Sequence, residues 1–191
     1  MSKNVVVILG HPLSDSFNGQ LADAAFAGAQ DARTDVQLIR LEDLQFDPIL
    51  RSSEQALEPD LVAAQKSIEQ AHHVVWVFPV WWATTPALLK GFIDRVFLKD
   101  WAFRYDHDSP MQVPLLKGRT SRVISTMDSP SFWYRWVYRR SAHRAFVTGT
   151  LKFCGFGPVK ESTIYKTRSL DEKSRQEWLA KVREEVRKES S

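Results

Sequence analysis

The chain has one cysteine, Cys154, in 191 residues. A lone thiol cannot close an internal bridge, so no disulfide framework holds the fold and cysteine usage gives no sign of an oxidising compartment. Long apolar runs are missing too. The N-terminus, MSKNVVVILGHP, carries a single Lys and an apolar run too short for a signal h-region, and no window approaches the roughly 20 residues that span a bilayer. These absences make the cytoplasm the expected location. Two nucleotide signatures are absent as well, G-x-G-x-x-G and G-x-x-x-x-G-K-[ST], which excludes the dinucleotide turn and the P-loop. Charge is not strongly of one sign. The net charge of +3, from 26 Lys plus Arg against 23 Asp plus Glu, admits an anionic ligand without indicating nucleic acid. No repeat, linker or low-complexity segment divides the chain, so residues 1–191 are expected to form one domain that buries a full core.

What is present alternates between strand and helix periods. VVVILG, Val5 to Gly10, is a continuous β-branched run suited to a strand buried on both faces of a parallel sheet. Asn18 opens a helix with Leu21, Ala24, Ala25 and Ala29 at helical spacing. A second strand follows at Val36 to Leu41, and a second helix runs from Leu57 to Ala71, entered through Glu58, Pro59 and Asp60. HVVWVFPV from His73 is a third strand, and a third helix starts at Pro86. Ser121 to Met127 and Val159 to Tyr165 supply strands four and five, before a closing charged amphipathic helix. Five strands interleaved with helices predict a three-layer α/β fold, a doubly wound five-stranded parallel sheet with right-handed crossovers.

Such sheets bind ligands beyond the carboxyl ends of their strands, where the strand order reverses. Three loops lie there. GHPLSDSFNG, Gly10 to Gly19, has hydroxyls at Ser14 and Ser16, leads into a helix N-terminus at Asn18 and begins with His11. Hydroxyls, free N–H groups and the positive end of a helix dipole suit a terminal phosphate, while a helix cap at Ser16 or Asn18 with His11 as a turn residue explains the same letters. The second loop, PVWWATTP, sets Trp81 and Trp82 where a polar turn is usual. Either they wall a flat heteroaromatic ring, or one of them, Trp81 before Trp82, packs under the third helix as core. The third, STMDSPSFWYRW from Ser125, adds polar and backbone donors at the same edge. Together the loops match a flavin mononucleotide-like ligand, with places for phosphate, ring and ribityl chain.

Four segments carry a family resemblance: H-P-x-x-x-S-F-N at His11 to Asn18, F-P-V-W-W at Phe78 to Trp82, P-A-L-L-K-G-F-I-D-R-V-F at Pro86 to Phe97, and F-C-G-F at Phe153 to Phe156. In this order they resemble the flavodoxin-like NAD(P)H:quinone oxidoreductase family, which includes the DT-diaphorase type, the modulator-of-drug-activity type and the ancillary subunits of potassium-efflux systems. The resemblance implies a flavodoxin-like fold, a homodimer, and a bound flavin that takes hydride from NADH or NADPH and passes two electrons to a quinone or similar flat acceptor in ping-pong fashion. FMN is expected over FAD, because the chain is short and shows no adenine-binding segment.

By position, the resemblance assigns His11, Ser16, Phe17 and Asn18 to the flavin phosphate, and Pro79, Val80, Trp81, Trp82 and Ala83 to the flavin ring. Thr126, Met127, Asp128 and Ser129 take the place of the third flavin loop, where the DT-diaphorase type has T-T-G-G. Backbone N–H groups near Trp82 and from Met127 to Ser129 would meet charge on the reduced ring. The nearest counterparts of that subgroup's catalytic pair are Tyr134 and His143, as proton donors. The alternative makes Tyr134 a pocket wall and leaves His143 exposed. Phe103 and Tyr105, in W-A-F-R-Y, correspond to an aromatic pair that the partner subunit contributes to the substrate pocket, with Phe103 in place of the first tyrosine.

Other features have plainer readings. His72 and His73 are adjacent in a strand and point to opposite faces, a poor chelate, so no metal is expected. WYRWVYRRSAHR, Trp133 to Arg144, reads as a helix with Tyr134, Val137 and Tyr138 on one face and Arg135, Arg139 and Arg140 over the rest, a solvated basic face rather than a nucleic-acid or membrane patch. Cys154 sits among apolar residues and is expected to be buried and inert. The Glu, Lys and Arg of the C-terminus read as a solvated helix face. Besides the reductase, two other classes fit: a flavodoxin-type electron carrier, disfavoured by the basic charge and the aromatics from Trp101 to Tyr138, and a regulatory subunit docked peripherally on a membrane transporter.

Overall fold

The structure, a computed structural model, describes residues 3–106 and 111–191. Five parallel strands form one sheet: β1 (Asn4–Leu9), β2 (Asp35–Arg40), β3 (His73–Pro79), β6 (Thr120–Thr126) and β7 (Val159–Ile164), in the order β2-β1-β3-β6-β7. The expected five-stranded doubly wound sheet is therefore present. Two short strands, β4 (Phe103–Arg104) and β5 (Val113–Pro114), pair antiparallel as a hairpin apart from the sheet. At two residues each, they carry no period for a sequence reading to detect.

Burial explains the β-branched runs. Every residue of β3 is buried, and its side chains alternate between two cores. Val74, Trp76 and Phe78 face one core with α2 (Pro59–Gln70) and α3 (Ala87–Val96), whereas Val75 and Val77 face the other with α1 (Phe17–Asp31) and α6 (Glu172–Ser190). Trp76 is fully buried, edge-on to Phe146 at 5.3 Å, so Trp76→Ala would remove about 3–5 kcal/mol of packing.

Two sequence expectations change here. The tract from Trp133 is not one helix: α4 (Ser131–Trp136) ends, the chain reverses through Arg139 and Arg140 with left-handed φ of 49° and 57°, and α5 (Ser141–His143) leads into a π-helical run over Arg144–Lys152. The reversal separates the supposed face, with Tyr134 buried while Val137 and Tyr138 stay exposed. The C-terminal helix is also more than a solvated face. Val182 and Val186 pack on α1, and Glu185 and Glu189 reach down to Arg122, which is buried in the amino-terminal half of β6.

Charge also fastens a loop. Between the 3₁₀ turn Leu41–Asp43 and α2 the chain has no regular structure, and fully buried Arg95 of α3 holds it by donating to Asp47 O, to Ala56 O at 2.8 Å and to Glu58 Oε2 at 2.7 Å. Cys154 is 3% exposed, and burial pushes its thiol up to about 12, as its apolar setting predicts.

Candidate functional site

The strand order reverses between β1 and β3, so the loops after these neighbouring strands diverge and leave a cleft at the carboxyl edge of the sheet. The cleft encloses about 650 Å³, within the range of roughly 300–1,000 Å³ usual for ligand pockets. It is lined by His11, Ser16, Phe17 and Asn18, by Pro79, Val80, Trp81 and Trp82, and by Thr126, Met127, Asp128 and Ser129. Of the thirteen residues expected in the three loops, Ala83 alone is not in the wall. It occupies the tip of the second loop, where its carbonyl accepts the Ser141 hydroxyl at 2.6 Å.

The first loop is built as a cradle. Ser16 caps α1, its hydroxyl accepting Gly19 N–H at 3.2 Å and donating to Leu13 O at 2.7 Å. The first helical N–H groups, those of Phe17 and Asn18, have no intrahelical acceptor and lie where the helix dipole is positive. Gly19 permits this geometry, because a Cβ there would collide with Ser14 O. Asn18 is 5% exposed and donates to Thr126 Oγ1 at 3.0 Å, which ties the first loop to the third. His11 accepts Leu13 N–H at 2.9 Å and meets Trp81 edge-on at 5.4 Å; burial holds its pKa below the usual histidine value, favouring the neutral ring.

The second loop is a two-residue turn. Trp81 and Thr84 exchange both backbone hydrogen bonds, and the residues between them, Trp82 and Ala83, have φ of 50° and 60°. Two left-handed residues without a glycine are unfavourable in a turn of this kind, each costing about 1 kcal/mol or more. The turn leaves the N–H groups of Trp82 and Ala83 outside its own bonds and holds Trp82 98% exposed. Trp81 is 43% exposed, so neither tryptophan is core, contrary to that expectation for Trp81. The turn is too tight to fold either indole back under α3.

In the third loop the Met127 N–H is already used, donating to Ile164 O at 2.9 Å. Of the donors expected there, only the N–H groups of Asp128 and Ser129 remain to serve a ligand. Asp128 accepts Arg168 N–H at 2.8 Å, and the Thr167 hydroxyl donates to Met127 O at 3.1 Å. These bonds bring Thr167 and Arg168 into the wall, together with Arg175, whose guanidinium lies 4.8 Å from the Phe17 ring centre. Sequence reasoning missed all three. For Thr167 and Arg168 the signal was positional, since the loop after the fifth strand starts at the same carboxyl edge as the others, and Arg175 follows in the first turns of α6.

Tyr134 and His143 are brought together but do not line the cleft. The phenol lies 2.7 Å from His143 Nδ1, and His143 Nε2 lies 3.1 Å from the Ser125 hydroxyl and 3.2 Å from that of Thr163. Both residues are buried, correcting the expectation of an exposed His143, because the chain reversal after α4 folds them inward behind Met127. Burial raises Tyr134 to about 12 and lowers His143. Phe103 and Tyr105 lie outside this cleft; their rings touch edge-on at 5.7 Å on the hairpin, with Tyr105 58% exposed.

A flavin phosphate fits this donor set: a capped helix start, a buried Asn, two arginines and unpaired turn N–H groups beside two exposed indoles. The chain is also similar to known proteins. NAD(P)H dehydrogenase [quinone] 1 of Cavia porcellus is 27% identical over 191 residues, covering 85% of this chain and 68% of its own length. The structure of an NAD(P)H:quinone oxidoreductase from Methanothermobacter marburgensis superposes with a TM-score of 0.80 at 20% identity, covering 98% of each chain. An FMN-dependent NADH-azoreductase from Bacillus anthracis, solved in complex with FMN, gives a TM-score of 0.78 at 18% identity, over 99% of this chain and 100% of that one. Residues 3–189 match the family described as having a flavodoxin-like fold, and the chain belongs to that family.

Proposed function

We propose that the protein is a flavin-dependent NAD(P)H oxidoreductase that reduces quinones or similar flat acceptors, with FMN as its cofactor. The observation that carries this reading is the single cleft at the strand-order reversal, where phosphate donors and exposed indoles from three loops converge. A flavin held in this cleft would supply the two-electron redox chemistry that links NADH or NADPH to the acceptor.

The chain's own residues bind and orient. The Phe17 and Asn18 N–H groups, at the helix start that Ser16 caps, hold the phosphate, with Arg175 and Arg168 adding positive charge at the rim. Trp81 and Trp82 wall the ring, and the N–H groups of Trp82, Asp128 and Ser129 offer fixed dipoles for negative charge that develops on it. Tyr134 and His143 act from behind, bracing Met127 and the third loop. They are not in line to hand a proton to a ligand in the cleft, so that proton comes from solvent. Phe103 and Tyr105 serve the cleft of a second copy in a homodimer, a role supported by the exposed Tyr105 and by the hairpin's absence from its own cleft.

Purified protein should be yellow, bleach anaerobically with NADH or NADPH and recover its colour with menadione. Chromatography of the released flavin should give FMN. A colourless protein that takes up neither FMN nor FAD overturns the reading.

A further inference from the structure

A second cleft, of about 570 Å³, runs along the outer side of β7, the last strand of the sheet. β7 contributes Glu161, Ser162 and Thr163 to it. One bank is the end of α4 and the turn after it, with Arg135, Trp136 and Arg140, and the other is α6, with Trp178, Lys181 and Glu185. Tyr165 closes the end nearest the cofactor cleft, where it packs beside Met127 and Tyr134.

The charges in this cleft are not balanced among themselves. Glu161 pairs with Arg140, and Glu185 is taken by Arg122 from beneath, at 2.7 Å. Both carboxylates are thereby engaged by arginines other than Arg135. Arg135 has no hydrogen bond or ion pair among the described residues, and the one recorded contact of the Lys181 ammonium is with the Trp178 ring, 4.4 Å from its centre. Two cations without carboxylates therefore share a cleft with two tryptophans and a tyrosine. Trp136 is 80% exposed on one bank of the cleft.

Aromatic walls select a flat ring, and unpaired cations at the rim select a negative charge on it. We propose that the cleft between Trp136 and Trp178 is a second binding site, separate from the cofactor cleft, for a flat aromatic ring that bears an anionic group. Arg135 and Lys181 take the anion, and the indoles take the ring. The cofactor cleft shares none of these residues, so the proposal does not depend on which flavin occupies it.

The test uses the protein as purified with its flavin. Naphthalene-2-sulfonate is titrated by calorimetry against the wild type, Arg135→Glu, Lys181→Glu and the double variant, with neutral 2-methylnaphthalene as the control ring. Both substituted residues are exposed, so folding is expected to hold, which thermal melts verify. The account expects one site for the sulfonate outside the flavin cleft, weakened about tenfold by each charge reversal and abolished in the double variant. Binding of the neutral ring should be weaker in the wild type and insensitive to both substitutions. Flavin content and menadione reduction, read on the same samples, should not change. The proposal is overturned if the sulfonate does not bind, if the double variant binds it as the wild type does, or if the neutral ring binds equally well. A failure of flavin binding in the wild type would instead strike the proposed function, and the two failures are told apart by absorbance at the outset.

Discussion

The two ends of the same sheet treat polar groups in opposite ways. At the amino end, Arg122 is buried among Glu185, Glu189 and Ser162, and Glu189 is also met by Lys160 at 3.1 Å and by His73 at 3.6 Å. Nearly every charge there has a partner inside the chain. At the carboxyl end, helix-start amides, turn amides, Arg175 and two exposed indoles face outward around an open cleft. The first arrangement holds the fold together, and the second leaves its hydrogen-bonding capacity for something else. The sheet edge that carries the cleft also carries the left-handed Trp82 and Ala83.

That contrast can be broken first at Arg122. Arg122→Ala strands two carboxylates against the sheet, and breaking a buried pair in this way costs about 3–5 kcal/mol. Urea denaturation should show the loss, while the molecules that remain folded keep their affinity for FMN. A large change in flavin affinity would mean that the two ends are not independent.

Protonation is the next handle. Burial lowers His73 from 6.5 to about 4, and its neighbours are Thr120, Glu189, Arg122, Lys160 and Lys3. A folded-state value below the unfolded one means that the unfolded chain binds the proton first. Stability from this residue is therefore complete above about pH 6.5 and is lost as pH falls towards 4. Denaturation midpoints measured across that window should fall more steeply for the wild type than for His73→Gln. Equal slopes would remove His73 from the account.

At the cleft the sign should invert. Trp82→Gly relieves a left-handed residue and should raise stability by up to about 1 kcal/mol. The same change removes a ring wall and should weaken FMN binding about tenfold. Thermal melts and flavin titration on one sample decide both. The smallest effect is expected on the open surface, where Arg183 pairs with Asp31 at 2.6 Å with both side chains partly exposed. Arg183→Ala should leave the denaturation midpoint unchanged within the error of measurement.

Much of this was legible in the residues. The continuous apolar strands specify a sheet buried on both faces, and the loops that end those strands specify where a ligand sits, because strand direction alone fixes which edge they share. Less legible were features set by chain reversal. Nothing in WYRWVYRR announces that Arg139 and Arg140 will take left-handed conformations, so the burial of Tyr134 and His143 could not be read from helical spacing. Thr167, Arg168 and Arg175 escaped for a different reason. Thr167 and Arg168 are placed by hydrogen bonds to Met127 and Asp128, some 40 residues earlier in the chain, and Arg175 is in turn held by donating to Thr167 O at 3.2 Å. The use of Glu185 and Glu189 was hidden likewise, since a charged helix face looks the same whether it meets water or a buried arginine.

The central claim is that the carboxyl end alone is the cofactor site. Titrating flavin-free protein with FMN and following backbone amide resonances tests it directly. The account predicts shifts concentrated at Ser16 to Gly19, Val80 to Ala83, Asp128 to Ser129 and Thr167 to Arg168, with His73, Thr120 and Lys160 unmoved. Shifts centred on the amino end, or no shifts at saturating FMN, would contradict it.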